Sequence, residues 1–206
     1  MNNDKYMKYL ESLENAVWTT RKNRINAEER LLSVNRFVQH INIYYACLSA
    51  AIAIISLWYT DKALTMLGAI LAPIVTICIA FLNSQRYEQR AADIKRNYVE
   101  LQKILYEVRM LKSVDSDATP DWDKVKELNN KYCELMDKVE NHRQSDYWKT
   151  CFESGTWDKK DSEHPFLQKV HKAHYRGYVV LRWSMHALTY VAPIIGYVLL
   201  RFLFTH

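Results

Sequence analysis

Residues that form turns are scarce in this chain, which has four glycines and four prolines among its 206 residues. This scarcity predicts long helices, very few turns and an all-α fold. Cysteine is also sparse. The four cysteines lie far apart and form no Cys-x-x-Cys pair, so their spacing supports neither a disulfide framework nor a zinc site.

A strong charge imbalance is missing as well. Residues 1–40 carry seven Lys/Arg and five Asp/Glu, and residues 83–177 carry eighteen and seventeen. This near-balance argues against sequence-specific nucleic-acid binding, which usually needs a basic stripe. No Ser/His/Asp set, P-loop, Gly-x-Gly-x-x-Gly or His-Glu-x-x-His motif occurs, so we expect no enzyme, no metal site and no cofactor.

Two long runs contain no charged residue, and they are the most informative feature of the chain. They are Ile41–Tyr59 and Ala63–Leu82, separated only by residues 60–62. As helices they would each be about 30 Å long, the thickness of a bilayer's hydrocarbon core. Because lipid offers backbone groups no hydrogen-bond partner, both must be helical, and the short connector requires an antiparallel hairpin. A pair of buried core helices is the weaker alternative, since neither run has a polar stripe.

Basic residues flank this hairpin unequally. Nine of them lie within twenty residues of its two ends, whereas the connector holds only Lys62. The nine are Arg21, Lys22, Arg24, Arg30, Arg36, Arg86, Arg90, Lys95 and Arg96. By the positive-inside rule, both flanks and the N-terminus are predicted to be cytoplasmic and the connector external.

Regular apolar spacing predicts helices on both sides of the hairpin. Residues 1–40 read as an amphipathic lead-in helix that enters the first span directly, and 41–82 form the transmembrane hairpin. In residues 83–150, two heptad seams predict a cytoplasmic antiparallel helical hairpin, the first helix continuing straight out of the second span. The seams are Tyr87, Ala91, Ile94, Tyr98, Leu101, Leu105 and Val108, then Val125, Leu128, Tyr132, Leu135, Val139 and His142. An intermolecular coiled coil is the alternative.

The remainder of the chain is less regular. Thr119 and Pro120 are expected as the N-cap and first residue of the second seam's helix. Residues 151–177 are expected to be linker and helix, with irregular chain beginning at Trp148. Residues 178–204 are apolar apart from Arg182, His186 and Arg201, and they predict a third transmembrane helix, with an interfacial helix as the alternative.

Small residues recur every three or four positions in both uncharged runs. Such faces let helix backbones approach closely in lipid, either within the hairpin or between protomers around a pore. The predicted pore or packing face comprises Gly68, Ala72, Thr76 and Ala80 in the second run, with Ser49, Ala53 and Ser56 of the first.

Several segments resemble one known family. The likeness begins in residues 24–31 (Arg-Ile-Asn-Ala-Glu-Glu-Arg-Leu) and is strongest in 85–91 (Gln-Arg-Tyr-Glu-Gln-Arg-Ala) and 95–102. It continues at Glu140-Asn141-His142 with Asp146-Tyr147. Over roughly residues 20–150 the chain resembles the SLATT family, the two-transmembrane effector domains of bacterial conflict systems, nearest to the branch found beside reverse transcriptases.

The resemblance implies a function that spacing alone does not give. It implies a multi-pass protein of the bacterial inner membrane that forms or perturbs a pore as a homo-oligomer during anti-phage defence. A partner such as a reverse transcriptase or nucleotidyltransferase, or a nucleotide second messenger, would trigger it. The alternative is an anchor or scaffold that recruits a defence enzyme to the membrane lipid without forming a pore.

A polar element at the end of the second seam is the predicted signal-coupling site. It comprises Glu140, Asn141, His142, Asp146 and Tyr147, with Arg86 and Arg90 as expected partners. Pairing of Asp146 or Glu140 with Arg86 or Arg90 would tie the cytoplasmic hairpin to the base of the second span. A purely structural role as a helix cap is the alternative.

Overall fold

A computed structural model describes residues 2–59, 61–113, 119–154 and 165–205. In these ranges the chain forms helices and no strand, which confirms the all-α prediction. The helices are α1 (Asn2–Trp58), α2 (Lys62–Ser84), α3 (Tyr87–Ser113), α4 (Trp122–Asp137), α5 (Gln144–Ser154) and α6 (Pro165–Thr205).

Helix α1 runs unbroken for 57 residues. Neither glycine nor proline occurs in it, so nothing interrupts its backbone hydrogen bonds. The predicted lead-in helix and the first uncharged run are therefore one element, as the sequence indicated.

The chain divides into two compact units. The first consists of Met1–Leu31 and Glu88–Tyr175, and the second of Leu32–Tyr87 and Arg176–His206. The apolar core of the first unit draws side chains from three helices. They are Tyr6, Leu10, Leu13 and Val17 of α1, Leu101, Ile104, Leu105 and Val108 of α3, and Val125, Leu128 and Leu135 of α4.

The cytoplasmic helical hairpin predicted from the two seams is therefore only part of this unit, because a third helix packs against it. Helices α3 and α4 do pack together, and their seams face a core within the chain. The start of α1 forms the third side of that core, where Tyr6 meets Trp122 edge-on at a ring-centroid distance of 5.3 Å. The sequence interpretation missed this because it treated residues 1–40 only as a lead-in to the first span. The earlier apolar positions lie among polar residues.

Two local expectations in this unit are wrong. Residues 148–154 are not irregular, since they belong to α5; residues 155–164 lie outside the described part of the chain. The N-cap of α4 is Asp121 rather than Thr119, because the Asp121 carboxylate accepts the Lys124 backbone N–H at 2.9 Å.

The helix of the second span does not continue straight into α3. Helix α2 ends at Ser84, and Arg86 has a φ of 47°. This left-handed conformation is costly for a residue with a Cβ, so Arg86 marks a defined break between α2 and α3.

The second unit contains the apolar helices. By length and composition, three helices could each cross a membrane, within Asn3–Trp58, Lys62–Ser113 and Lys172–Phe204. Asp61 caps α2 by accepting the backbone N–H of Ala63 at 2.9 Å. The tight connector predicted between the first two spans is thus built around a helix cap.

Helix α6 packs along the other helices of this unit. Phe37 stacks on His186, the Tyr45 hydroxyl donates to the Thr189 carbonyl at 2.7 Å, and the Tyr197 hydroxyl donates to Asp61 at 2.9 Å. Residue numbers rise together in these contacts, so α6 runs parallel to the second half of α1. Contact along this length favours a third span over an interfacial helix.

Candidate functional site

A line of buried polar side chains follows one side of α1 in the first unit. We call it the polar stripe, and it consists of Thr20, Asn23, Arg24, Asn26 and Arg30. At about 100° per residue they spread over roughly 160° of the helix, so the stripe can contact both α4 and α5. A buried polar group without a hydrogen bond is costly, so the partners of this stripe define what it does. Among the described residues, the Oδ1 atoms of Asn23 and Asn26 have no hydrogen-bond partner.

Arg24 binds the end of α4. Its guanidinium donates to the carbonyl of Leu135 at 3.1 Å and to that of Met136 at 3.3 Å. These carbonyls lie in the last turn of α4, where backbone acceptors have no intrahelical partner and the helix dipole is negative. The side chain is 1 % exposed. Within the described residues no carboxylate is paired with it, so the helix end supplies its counter-charge.

Arg30 binds the start of α5 through a buried ion pair. Its Nε and Nη2 donate to the two carboxylate oxygens of Asp146 at 2.9 and 3.1 Å, and both side chains are largely buried. Asp146 also accepts the backbone N–H of Arg143 at 2.9 Å, which caps the first turn of α5. One carboxylate therefore holds the helix start and fastens it to α1.

The two asparagines of the stripe complete the contact. Asn26 donates through Nδ2 to the Thr150 hydroxyl at 2.8 Å and to the Asp146 carbonyl at 3.2 Å. Asn23 lies 3.1 Å from His142, measured from Nδ2 to Nε2. The hydrogen bonds of the stripe to α5 and the preceding turn thus come from Asn23, Asn26 and Arg30 of α1.

Burial lowers the pKa of His142, because a protonated imidazole loses more hydration than a neutral one. The Asp146 carboxylate opposes this effect, and the Arg24 guanidinium adds to it. The neutral ring, with Nε2 accepting from the Asn23 amide, is therefore the favoured form at neutral pH.

The predicted coupling residues are only partly brought together. Arg90 and Glu140 form an ion pair, with Nη2–Oε2 and Nε–Oε1 distances of 2.6 and 3.1 Å, which is one of the pairings the sequence suggested. Asp146 pairs with Arg30 instead of Arg86 or Arg90, because α5 packs against α1. Asn141 and Tyr147 are exposed, and Arg86 lies at the α2–α3 break.

Sequence reasoning missed the other half of this site. It singled out the segment 140–147 but treated Arg24 and Arg30 only as charges flanking a span, and it gave Asn23 and Asn26 no role. A signal was present, because the family likeness begins in residues 24–31 and resumes at residue 140. The structure brings these two segments into direct contact.

The small residues of the spans do not share one environment. A Cβ added to Gly68 would lie 2.8 Å from Cγ2 of Ile52, so Gly68 marks the closest approach of α2 to α1. Ala72, Thr76 and Ala80 are exposed within this chain. In α1, Ala53 is exposed, Ser49 is half-buried, and the Ser56 hydroxyl is buried without a hydrogen-bond partner among the described residues.

No cluster of three His, Cys, Asp or Glu side chains that could hold a metal occurs in the part of the chain that the structure describes. His174 stacks on Trp148 at a ring-centroid distance of 5.3 Å, which gives it a packing role.

The fold is that of a multi-pass helical membrane protein with a polar helical unit. The model of the SMODS and SLOG-associating 2TM effector domain family 5 matches residues 7–200. This chain therefore belongs to the SLATT family of two-transmembrane effector domains of conflict systems. The match extends well beyond the resemblance over residues 20–150, and it includes the third apolar helix. Neither a curated protein nor a solved structure matches the chain.

Proposed function

We propose that this chain is the membrane effector of a bacterial anti-phage defence system. It assembles with copies of itself in the inner membrane, with the N-terminus in the cytoplasm, and opens a pore when triggered. Family membership supports the effector role, and three helices of spanning length support the location. A reverse transcriptase, a nucleotidyltransferase or a nucleotide second messenger supplies the trigger, and no bound cofactor is needed.

The observation that carries self-assembly is the division of the small-residue face. Gly68 faces Ile52 inside the chain, whereas Ala72, Thr76 and Ala80 face outward. The Thr76 hydroxyl donates to the Ala72 carbonyl at 2.9 Å, so its polar group is satisfied within its own helix. This outward face lets the α2 helix of another protomer approach closely in lipid, with Ser49, Ala53 and Ser56 of α1 beside it.

The polar stripe keeps the effector in its resting state. Because α1 continues from the stripe into the first span, release of α5 from Arg30 changes the support of a helix that crosses the membrane. Glu140, Asn141 and Tyr147 are exposed around this contact and form the surface a trigger reaches. The buried ion pair suits this role, since breaking it from one side is strongly unfavourable.

Substitutions on α2 test the pore. Overproduction of the wild-type chain in bacteria should collapse the membrane potential, measured with a voltage-sensitive dye. Ala72→Leu should prevent the collapse, because it adds bulk to the outward face without a clash inside the chain. Gly68→Leu is a poorer test, since its side chain would push α2 away from Ile52.

The control for Ala72→Leu is Ile74→Trp. Ile74 is 51 % exposed and lies about 160° around α2 from Ala72 and about 120° from Ala80, so it adds bulk on the opposite side of the same helix. The control should depolarise like the wild type. Depolarisation by Ala72→Leu at equal membrane abundance would discard the small-face pore. A chain that never depolarises but co-purifies with a defence enzyme would be an anchor instead.

The coupling role is tested by reversing one charge. Asp146→Arg places a second cation beside Arg30, and we expect toxicity that is either constitutive or lost when expression is raised to give wild-type membrane abundance. Loss of the folded protein would make the contact purely structural. The Lys124–Glu107 ion pair, which lies outside this surface, provides the control, because Glu107→Gln should alter neither abundance nor toxicity by a comparable amount.

A further inference from the structure

A groove of about 310 Å³ lies between α6 and α1 in the second unit. Its lining residues are Phe37, Tyr178, Leu181, Arg182, Met185, His186 and Thr189. Most of this lining is aliphatic or aromatic, and the stacked rings of Phe37 and His186 close one wall at a centroid distance of 3.7 Å. Arg182 is the one lining residue that is charged at every physiological pH.

Arg182 has no anionic partner within the described chain. Its guanidinium donates to the Ser33 hydroxyl. No carboxylate among the described residues lies within ion-pair distance of it, whereas Arg30 and Arg90 each have one. A guanidinium presents five N–H donors, so Ser33 leaves several for another acceptor. A half-buried cation in an apolar groove is costly unless an anion accompanies it.

The groove lies at the depth of lipid headgroups. Phe37 comes four residues before the uncharged run that begins at Ile41, and Arg182 lies in the second turn of the apolar residues 178–204 of α6. Beside Arg182, Trp183 is 71 % exposed. Exposed tryptophan and snorkelling arginine at the end of an apolar helix are typical of the membrane–water interface. The cation therefore faces the layer that contains phosphate.

We propose that this groove is a binding site for one anionic phospholipid. The lipid phosphate accepts from the free donors of Arg182, and the first part of an acyl chain lies along Leu181, Met185 and Phe37. Guanidinium and phosphate match in charge and in geometry. An anionic lipid is favoured over a zwitterionic one, because the latter carries its own ammonium group next to its phosphate.

Lipid-dependent thermal stability tests the proposal. The full-length chain is purified in a neutral detergent, and its Tm is measured while phosphatidylglycerol or phosphatidylcholine is added to the micelles. Phosphatidylglycerol should raise the Tm of the wild type at a lipid concentration at least ten-fold lower than phosphatidylcholine requires. A ratio of about this size is expected from one charge-assisted contact. Equal effects of the two lipids would overturn the proposal.

Three variants locate the effect in the groove. Arg182→Gln should abolish the preference for phosphatidylglycerol. Arg176→Gln removes the same charge from an exposed position on the same helix and should retain the preference. Ser33→Ala should retain it as well, since it removes only the neutral partner of Arg182. The proposal would be contradicted if Arg182→Gln kept the preference for phosphatidylglycerol, or if Arg176→Gln lost it to the same extent. An equal loss would show that stabilisation depends on the net charge of the protein and not on the groove.

A soluble phosphate tests whether the groove binds the whole lipid or only its phosphate group. Glycerol 3-phosphate carries the anion without acyl chains, and it should leave the Tm unchanged at concentrations where phosphatidylglycerol acts. Lipid mass spectrometry of the purified protein should find phosphatidylglycerol retained on the wild type and depleted on Arg182→Gln. Stabilisation by glycerol 3-phosphate equal to that by the lipid would reduce the site to an anion site and contradict the proposal.

Discussion

Arg24 and Arg30 lie six residues apart on one helix, yet they are neutralised in different ways. Arg24 binds the carbonyls at the end of α4, and Arg30 binds the Asp146 carboxylate at the start of α5. Helix ends carry about half a unit charge, whereas a carboxylate carries a full one. Loss of Asp146 should therefore destabilise the folded protein more than a change at the end of α4.

The stabilisation from the buried ion pair should depend on both Arg30 and Asp146 being present together. Asp146→Asn leaves the Arg30 cation buried and unpaired, and we expect the free energy of unfolding to fall by about 3–5 kcal/mol. Arg30→Met combined with Asp146→Asn should be less damaging than the sum of the single variants. Denaturant titration of the four proteins in mixed micelles measures this coupling energy.

The exposed ion pair supplies the comparison for that cycle. Arg90→Met and Glu140→Gln should each cost about 1 kcal/mol or less, because solvent screens both groups. Equal coupling energies at the buried and exposed pairs would contradict the assignment of Arg30 and Asp146 as the main fastening of α5.

His142 should make stability depend on pH. In the unfolded chain the imidazole protonates near its ordinary pKa of 6.5, whereas burial lowers this pKa in the folded state. The unfolded chain therefore binds more protons as the pH falls through 6.5 towards the lower folded pKa, and stability falls over that window. The slope for one group is at most about 1.4 kcal/mol per pH unit.

His142→Gln isolates this contribution. The variant has no titrating group at position 142, so the difference in unfolding free energy between it and the wild type should shrink as the pH falls from about 7.5 to about 5.5. A difference that does not change with pH would show that the Asn23–His142 contact tolerates a protonated ring.

At the scale of elements, the break between α2 and α3 depends on Arg86. Its φ of 47° is disfavoured for residues with a side chain, and glycine adopts it freely. Arg86→Gly should stabilise the protein by about 0.5–1 kcal/mol. Gln85 has a helical conformation (φ −71°, ψ −12°), so Gln85→Gly should destabilise it by a similar amount.

Thermal unfolding in detergent distinguishes these two glycine variants. A lower Tm for Arg86→Gly than for the wild type would mean that contacts of the arginine side chain outweigh its backbone conformation. Arg86→Asn provides a second check, because asparagine tolerates the left-handed region better than most residues and should not lower the Tm.

Elements that depend on local rules were predictable from the sequence. Uncharged runs of spanning length gave α2 and the second half of α1, and the seams gave α3 and α4. The break at Arg86 was not predictable, because the heptad seam from Tyr87 follows the span without any glycine or proline between them. Helix α5 was missed because Gln144–Ser154 is short and residues that hold it, such as Asn26 and Arg30, lie far away in the sequence.

The candidate site was half predictable for the same reason. Glu140, His142 and Asp146 stood out as polar residues after an apolar seam. The partners of His142 and Asp146 lie on α1, more than 110 positions away in sequence, and Glu140 pairs with Arg90 of α3. No local pattern distinguishes a buried arginine such as Arg24 from the exposed arginines that usually flank a span.

At the scale of the whole molecule, the parallel packing of α6 and α1 fixes the relative sidedness of two ends. Tyr197 donates to Asp61, so the C-terminal end of α6 lies with the α1–α2 connector. In a cysteine-free background, Lys62→Cys and Phe204→Cys should both react with an impermeant maleimide added outside the cell. Glu88→Cys should react only after the membrane is permeabilised.

Labelling would also settle the orientation proposed from the basic flanks. Reaction of Lys62→Cys only after permeabilisation would reverse the topology. Reaction of Phe204→Cys from the side opposite to Lys62→Cys would mean that α6 does not cross the membrane in parallel with α1.

Dye release from vesicles made with purified protein shows whether this chain itself opens the membrane through the outward small-residue face of α2. Vesicles containing a self-quenched dye are reconstituted with equal amounts of wild type, Ala72→Leu or Ile74→Trp, and dye release is followed by fluorescence. The protein-to-lipid ratio is kept high, so that crowding in the vesicle replaces the trigger as overproduction does in the cell. We expect release by the wild type and by Ile74→Trp, and little release by Ala72→Leu. Equal release by all three proteins, or none by the wild type, would show that this face does not form a pore.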